Sequence, residues 1–348
     1  MGKNTKYNPG LVVWEITLDC NLKCKHCGSS AGNPRDNELS TEEGLQLCND
    51  LSEVGFKGVT LFGGEPFLRN DWSILGKEIK DLGMKLSVVS NGFVNAGKII
   101  PELLKLEADS VQVGLDGSSA QTHDDIRGVD GSFEKAIKFL HLSKKAGLNF
   151  GAITTVSKMN FKEIPAIRDL VIKEGFDWQV QEAIPIGRFS KKMVLSESEY
   201  YALGLFIASN QRKYSPKGFI ISGPHNFGFH SQYMSGLASS KNWTGCWAGK
   251  MVLGIQSNGD VKGCLALSDD FIDDNIRNRN IIDIWNDPTS FAYNRVFKKE
   301  DLGEQCKSCK YAETCKGGCT TRSKSLTGKL HNDSRCFYRI ENKLFEKS

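Results

Sequence analysis

The sequence predicts an α/β protein: a partial (β/α)6 TIM barrel followed by a small cysteine-rich domain. Three observations carry this. Apolar runs of strand length alternate with helical patterns over residues 10–213, the composition changes after Lys213, and seven of the eleven cysteines lie between Cys246 and the C-terminus. Strands in series with helices give a parallel sheet with right-handed crossovers. Six units fall short of the eight that close a barrel, so the barrel stays open. Its chemistry is expected at the C-terminal strand ends, where the loops gather.

The six strands read as "VVWEITL" (Val12–Leu18), "GVTLFG" (Gly58–Gly63), "LSVVS" (Leu86–Ser90), "SVQVGL" (Ser110–Leu115), "FGAITTV" (Phe150–Val156) and "WQVQEAI" (Trp178–Ile184). Short apolar runs of this kind suit strands buried on both faces. Between them, "STEEGLQLCNDLSEVGF" opens with a capping box, Ser40 to Glu43, and sets Leu45, Cys48, Leu51 and Val54 on one helical face. "GSFEKAIKFLHLSKKAG" is a second such helix, with Gly147 as its expected C-cap. Residues 214–245 are rich in Gly, Ser and aromatics and show neither period, so they read as a bridging segment. The histidines there, His225 and His230, read as surface residues. From 246 to 348 the strand–helix alternation disappears, and this small domain is expected to be held by metal more than by a large core.

Composition excludes several classes. The chain has 348 residues, 39% hydrophobic and 25% charged, with a formal charge of only +4, which does not indicate nucleic-acid binding. From Lys298 onward basic residues exceed acidic ones by twelve to seven, which reads first as a solvated surface. No segment approaches the roughly 20 apolar residues of a membrane span, and the start lacks the apolar run of a signal peptide. The chain therefore reads as cytoplasmic, where reducing pools keep thiols free, so eleven cysteines point to metal ligation or catalysis.

Cys20, Cys24 and Cys27 form C-x3-C-x2-C directly after the first strand. The last two alone fit a redox dithiol or half a zinc site. Three thiolates without a nearby fourth are what a [4Fe–4S] cluster needs if one iron is to stay open, whereas structural Fe–S and zinc sites close with four ligands. This pattern resembles the radical S-adenosylmethionine (SAM) superfamily motif C-x3-C-x-Φ-C, with His26 at the aromatic position Φ. The resemblance implies that the open iron binds SAM, whose reductive cleavage gives methionine and a 5′-deoxyadenosyl radical. It continues at the next strand ends. "GGEP" (Gly63, Gly64, Glu65, Pro66) resembles the segment binding the SAM amino group, and "SNG", with Ser90 and Asn91, the ribose-side contact. "GLDGSS…HDDIRG" resembles the segment in which Gly114 and Arg127 reach SAM, Arg127 as a bidentate carboxylate partner.

The C-terminal cysteines read Cys246, then Cys264 closing "GDVKGC", then Cys306, Cys309, Cys315 and Cys319 as C-x2-C-x5-C-x3-C, then Cys336. The four-cysteine run alone also fits a zinc ribbon. The whole set resembles the SPASM domain, which is appended to radical SAM enzymes that modify peptides and proteins and holds two auxiliary [4Fe–4S] clusters. Carried over by position, Cys246, Cys264 and Cys319 belong to the first auxiliary cluster, and Cys306, Cys309, Cys315 and Cys336 to the second. Val252 and Leu265 stand where sulfatase-maturating members have a further cysteine and an aspartate. Cys48 lies outside both patterns and reads as core.

The expectation is a radical SAM/SPASM maturase that forms a thioether or carbon–carbon cross-link in a ribosomally made peptide. Its expected partners are a precursor peptide, whose leader is presented either by a separate leader-binding protein or by the SPASM surface, and an electron donor such as flavodoxin or ferredoxin. The alternatives are an oxidative enzyme acting on a protein side chain or small cofactor precursor, and a non-catalytic Fe–S or zinc adaptor. No residue presents itself as the general base.

Overall fold

The computed structural model describes residues 7–224, 226–231, 233, 234, 237 and 243–345; His225 lies outside the described residues. Six strands run in parallel in chain order: β1 (Leu11–Thr17), β2 (Gly58–Gly63), β3 (Lys85–Ser90), β4 (Ser110–Gly114), β5 (Phe150–Val156) and β6 (Asp177–Glu182). Helices α1 (Thr41–Val54), α2 (Trp72–Asp81), α3 (Ala96–Lys105), α4 (Ala120–Arg127), α5 (Ser132–Lys145) and α6 (Ile164–Glu174) lie between them, and α7 (Glu197–Tyr214) follows β6. The capping box of α1 forms as read: Glu43 N donates to Ser40 Oγ at 3.2 Å, and Ser40 N to Glu43 Oε2 at 2.8 Å. Gly44, Leu47, Cys48, Leu51 and Val54 make the buried face of α1, whereas Leu45 is only half-buried. The cap of α5 is displaced by one residue. Ala146 is its C-cap, and Gly147 follows in the left-handed conformation at φ +73°.

The sheet extends beyond the six expected strands. The bridging segment is not strandless, because β7 (Ile221–Ser222) pairs with β6. The region after Cys246 keeps strands as well. β8 (Val252–Ile255) pairs parallel to β1, with Leu11 opposite Val252 and Trp14 opposite Ile255. β9 (Asp260–Lys262) and β10 (Asp274–Asn275) continue antiparallel, giving the order β10-β9-β8-β1-β2-β3-β4-β5-β6-β7. Among the described residues the two edges do not pair, so the barrel is open.

Short helices complete the C-terminal region: α8 (Ile281–Asn286), α9 (Ala292–Arg295), α10 (Glu304–Lys307), α11 (Ala312–Cys315), α12 (Thr320–Thr327) and α13 (Phe337–Phe345). Their packing gives this region an apolar core beside the expected metal ligands. Ile281, Ile284, Trp285, Phe291 and Phe337 join the barrel's own hydrophobic core, with Trp285 edge-on to Phe56 at 4.9 Å between ring centroids. Each large side chain so buried stabilises the fold by roughly 1.5–3 kcal/mol. No helix among the described residues is long and apolar enough to cross a membrane.

Candidate functional site

The expected motifs meet at the C-terminal ends of the strands. Thr17 ends β1, and the cysteine loop follows, closed by Cys20 N to Gly32 O (2.9 Å) and Gly32 N to Leu18 O (3.1 Å). The end of β2 lies directly against this loop, with Gly64 N donating to Thr17 O at 2.9 Å and Glu65 N to Asp19 O at 2.8 Å. Only glycine allows that approach. Gly63 has φ +142°, and a Cβ at Gly63 or Gly64 would collide with Thr17 O or Asp19 O.

Each of the three thiols meets its own donor. Asn91 Nδ2 lies 3.8 Å from Cys20 Sγ, Arg127 Nη1 lies 3.9 Å from Cys24 Sγ, and Ala31 N donates to Cys27 Sγ at 3.4 Å. Burial, together with the neighbouring Glu65, Cys24 and Cys27, pushes the Cys20 thiol up to about 11. Three thiols crowded into one loop suit a cationic metal core, which binds thiolates.

Glu65 is enclosed by protein, which narrows the expectation for GGEP. Its carboxylate accepts from Ser90 Oγ (3.0 and 3.1 Å), Asn91 N (2.8 Å) and Phe67 N (3.3 Å), so the side chain ties the GGEP turn to the SNG turn. What Gly63, Gly64, Glu65 and Pro66 can offer a ligand is therefore backbone. Burial pushes the Glu65 carboxyl up to about 7 despite these donors. The folded protein thus holds this proton more tightly than the unfolded chain. The resulting stability is fully present below pH 4.5 and is lost as pH rises through about 7. Glu65→Gln, which cannot ionise, should flatten the stability profile between pH 5.5 and 7.5 in anaerobic urea titrations. A wild-type slope in the variant would refute the assignment.

Behind Cys24 lies a buried charge cluster. Asp116 Oδ2 takes Arg127 Nη2 at 2.8 Å and His26 Nε2 at 2.6 Å, while Oδ1 accepts Thr155 N at 2.8 Å. Burial opposes ionisation of Asp116, but the Arg127 guanidinium and His26 outweigh it and hold the carboxyl well below the usual carboxylate range. Arg127, expected to face a ligand carboxylate, instead gives both terminal nitrogens to the protein. Gly114 supplies the space, since a Cβ there would collide with the guanidinium. Arg127 Nε and His26 Nδ1 are buried without hydrogen-bond partners. Buried polar atoms without partners next to a three-thiol loop fit a site built around a further group.

The C-terminal cysteines separate into two sets. Cys246 lies beside Cys319 and Thr320, and Cys264 lies beside Cys319 and Thr321. Cys306, Cys309, Cys315 and Cys336 line a cavity of about 510 Å³, and their thiols interact electrostatically. Four thiols around one open space fit a cubane cluster. Val252 lies within β8, opposite Leu11.

Two contributions escaped the sequence reading. Arg188 N donates to Cys27 O at 3.1 Å, and its guanidinium hydrogen-bonds Ala31 O, so the turn after β6 clamps the cysteine loop. The signal was available as "IGR" at a strand's C-terminal end, but one Gly-Arg pair is common. The partnership of Asp116 with His26 had no local signal, because 90 residues separate the two.

The radical SAM superfamily signature matches residues 14–171, and that of the iron–sulfur cluster-binding domain SPASM matches residues 246–310. The chain is 29% identical over 343 residues to an AdoMet-dependent heme synthase of Methanosarcina barkeri, spanning 95% of this chain and 97% of the relative. It is 28% identical over 332 residues to the mycofactocin maturase MftC of Mycolicibacterium smegmatis, spanning 92% and 80%. The fold matches Streptococcus suis SuiB bound to S-adenosylmethionine with a TM-score of 0.76 at 20% identity, over 95% of this chain and 77% of the other. It also matches anSMEcpe with bound AdoMet and Cp18Cys peptide, with a TM-score of 0.76 at 18% identity over 98% and 97%.

Proposed function

We propose that this chain, which belongs to the radical SAM superfamily and carries a SPASM domain, modifies an unactivated C–H position of a ribosomally synthesised peptide, forming a thioether or carbon–carbon cross-link. Its cofactors are [4Fe–4S] clusters and S-adenosylmethionine, which when bound supply the one-electron cleavage that yields the 5′-deoxyadenosyl radical. In this reading Cys20, Cys24 and Cys27 hold the SAM-binding cluster. Cys246, Cys264 and Cys319 hold one auxiliary cluster, and Cys306, Cys309, Cys315 and Cys336 the other. The GGEP backbone, Ser90, Asn91, Gly114, Arg127 and His26 shape the SAM site. Asp116 holds Arg127 and His26 in place beneath it.

The observation that carries the peptide reading is the inner wall of the open barrel. Gln112, Thr155, Gln179 and Gln181 alternate with the buried Val111, Val113, Thr154, Trp178 and Val180, and so line the face away from the helices. All four are half-buried, polar and uncharged. Their amides and hydroxyl match the donors and acceptors of a peptide main chain, and the unpaired sheet edges leave a chain-like substrate a way in. A precursor peptide and a flavodoxin- or ferredoxin-type reductant are the partners this reading requires, and a separate leader-binding protein fits it. The second reading, a small cofactor precursor as substrate, draws on the relatives named heme synthases.

Anaerobically reconstituted protein should hold about twelve irons per chain, four per cysteine set. It should release 5′-deoxyadenosine from SAM under dithionite. Mass spectrometry then separates the substrates: a loss of two hydrogens from a co-expressed neighbouring peptide supports the first reading, and turnover of a porphyrin precursor alone supports the second. Stoichiometric zinc without SAM cleavage would leave only an adaptor.

A further inference from the structure

Between the two cysteine sets of the C-terminal region lies a buried ion pair to which the proposed reaction gives no task. Arg322, on α12, and Asp333, in the turn before Cys336, have side chains only 2% and 1% exposed. Arg322 Nε donates to the two carboxylate oxygens of Asp333 at 3.1 and 3.0 Å, and Nη2 lies 3.0 Å from Oδ2. The same carboxylate accepts the backbone N–H of Cys319 at 3.0 Å, so it is bonded directly to the first set. It also lines the cavity formed by Cys306, Cys309, Cys315 and Cys336. The chain makes room for this position: Gly318 has φ +86°, and a Cβ there would come 2.5 Å from Asp333 Cβ.

Arg322 is anchored to the barrel side. Its Nη1 meets Tyr200 Oη at 3.2 Å and lies 3.8 Å from Glu182 Oε2 at the end of β6, while Nη2 donates to Asn226 O at 2.9 Å. Asn226 in turn brings its amide to 3.3 Å from Cys319 Sγ. Glu182 also pairs with Arg335 at 2.8 Å. Four buried charges are an expensive way to join two parts of a chain, since apolar residues of similar volume often do so with equal or better stability. A fixed charge a few ångströms from two thiol sets has an electrostatic consequence that an apolar contact lacks.

We infer that Asp333, held by Arg322, is a positioning residue that sets both the spacing and the reduction potentials of the two auxiliary clusters. The inference rests on the proposed assignment of the seven cysteines. A carboxylate beside a cluster opposes the arrival of an electron and lowers its potential, and the guanidinium offsets part of this. Removing the negative charge while keeping its shape should raise the potentials of both auxiliary clusters and leave the cluster at Cys20, Cys24 and Cys27, to which Asp333 makes no hydrogen bond, unmoved.

The experiment is an EPR-monitored redox titration of anaerobically reconstituted full-length protein: wild type, Asp333→Asn and Arg322→Gln. In Asp333→Asn the reduction equilibrium of the auxiliary clusters should shift about tenfold toward the reduced form, ~59 mV for one electron. In Arg322→Gln it should shift the opposite way. Fully loaded variants with wild-type auxiliary potentials would overturn the inference while leaving the cluster assignment intact. A wild type holding only about four irons would overturn the assignment, and the inference with it. If both variants lose auxiliary iron, Arg322→Lys, which keeps the charge, should restore it with near-wild-type potentials; failure of that rescue counts against the charge.

Discussion

Replacing Cys20, Cys24 and Cys27 together by alanine takes 5′-deoxyadenosine formation down to the level of an enzyme-free control, while about eight irons per chain remain. The loop should survive the change because main-chain bonds hold its shape: Cys20 N to Gly32 O, Lys23 N to Arg127 O, Lys25 N to Ile126 O and Arg188 N to Cys27 O. The three thiols are half-buried and contribute little to the apolar core. The auxiliary iron should remain because the seven C-terminal cysteines form two sets of their own. Iron analysis and chromatography of the reaction under dithionite check both halves. Persistent 5′-deoxyadenosine would sink the assignment of the radical-forming site.

Asp116→Ala should cost about 3–5 kcal/mol of stability, the usual penalty for breaking a buried pair and stranding its partner. Arg127, 8% exposed, would lose the carboxylate at 2.8 Å, and the His26 ring would lose the carboxylate that Nε2 meets at 2.6 Å. Thr155 N and the structure around β5 would lose an acceptor as well. Lys25→Ala is the control: its pair with Asp125 is exposed on both sides and should matter little. Anaerobic urea denaturation at pH 7 gives the difference directly. An Asp116→Ala protein as stable as Lys25→Ala would show that the cluster is not structural, and SAM cleavage in the two variants would then be compared at equal stability.

Much of the molecule is legible locally. The strands β2 and β5 appear with the bounds read from their apolar runs, because a buried parallel strand needs a short apolar segment between turn residues. The α1 start is legible because its cap lies within four residues, Ser40 to Glu43. The C-x3-C-x2-C loop, GGEP and SNG are legible because each is a contiguous turn at a strand end. These features depend on neighbours in sequence, so the sequence by itself determined them.

Only the tertiary structure decided what those turns do to one another. Glu65 reads as part of a ligand-binding segment, yet its carboxylate is enclosed by Ser90 and Asn91, 25 and 26 residues away. Arg127 reads as a ligand partner, yet it faces Asp116 and Cys24, the latter 103 residues away. Leu11 and Val252 pair across the chain to put β8 into the barrel sheet, and Glu182 meets Arg335 across 153 residues. Such contacts leave no periodicity or short-range spacing, because they are chosen by which buried charges and unpaired strand edges must be satisfied once the chain closes. The turns were written residue by residue, and their partners were set by that closure.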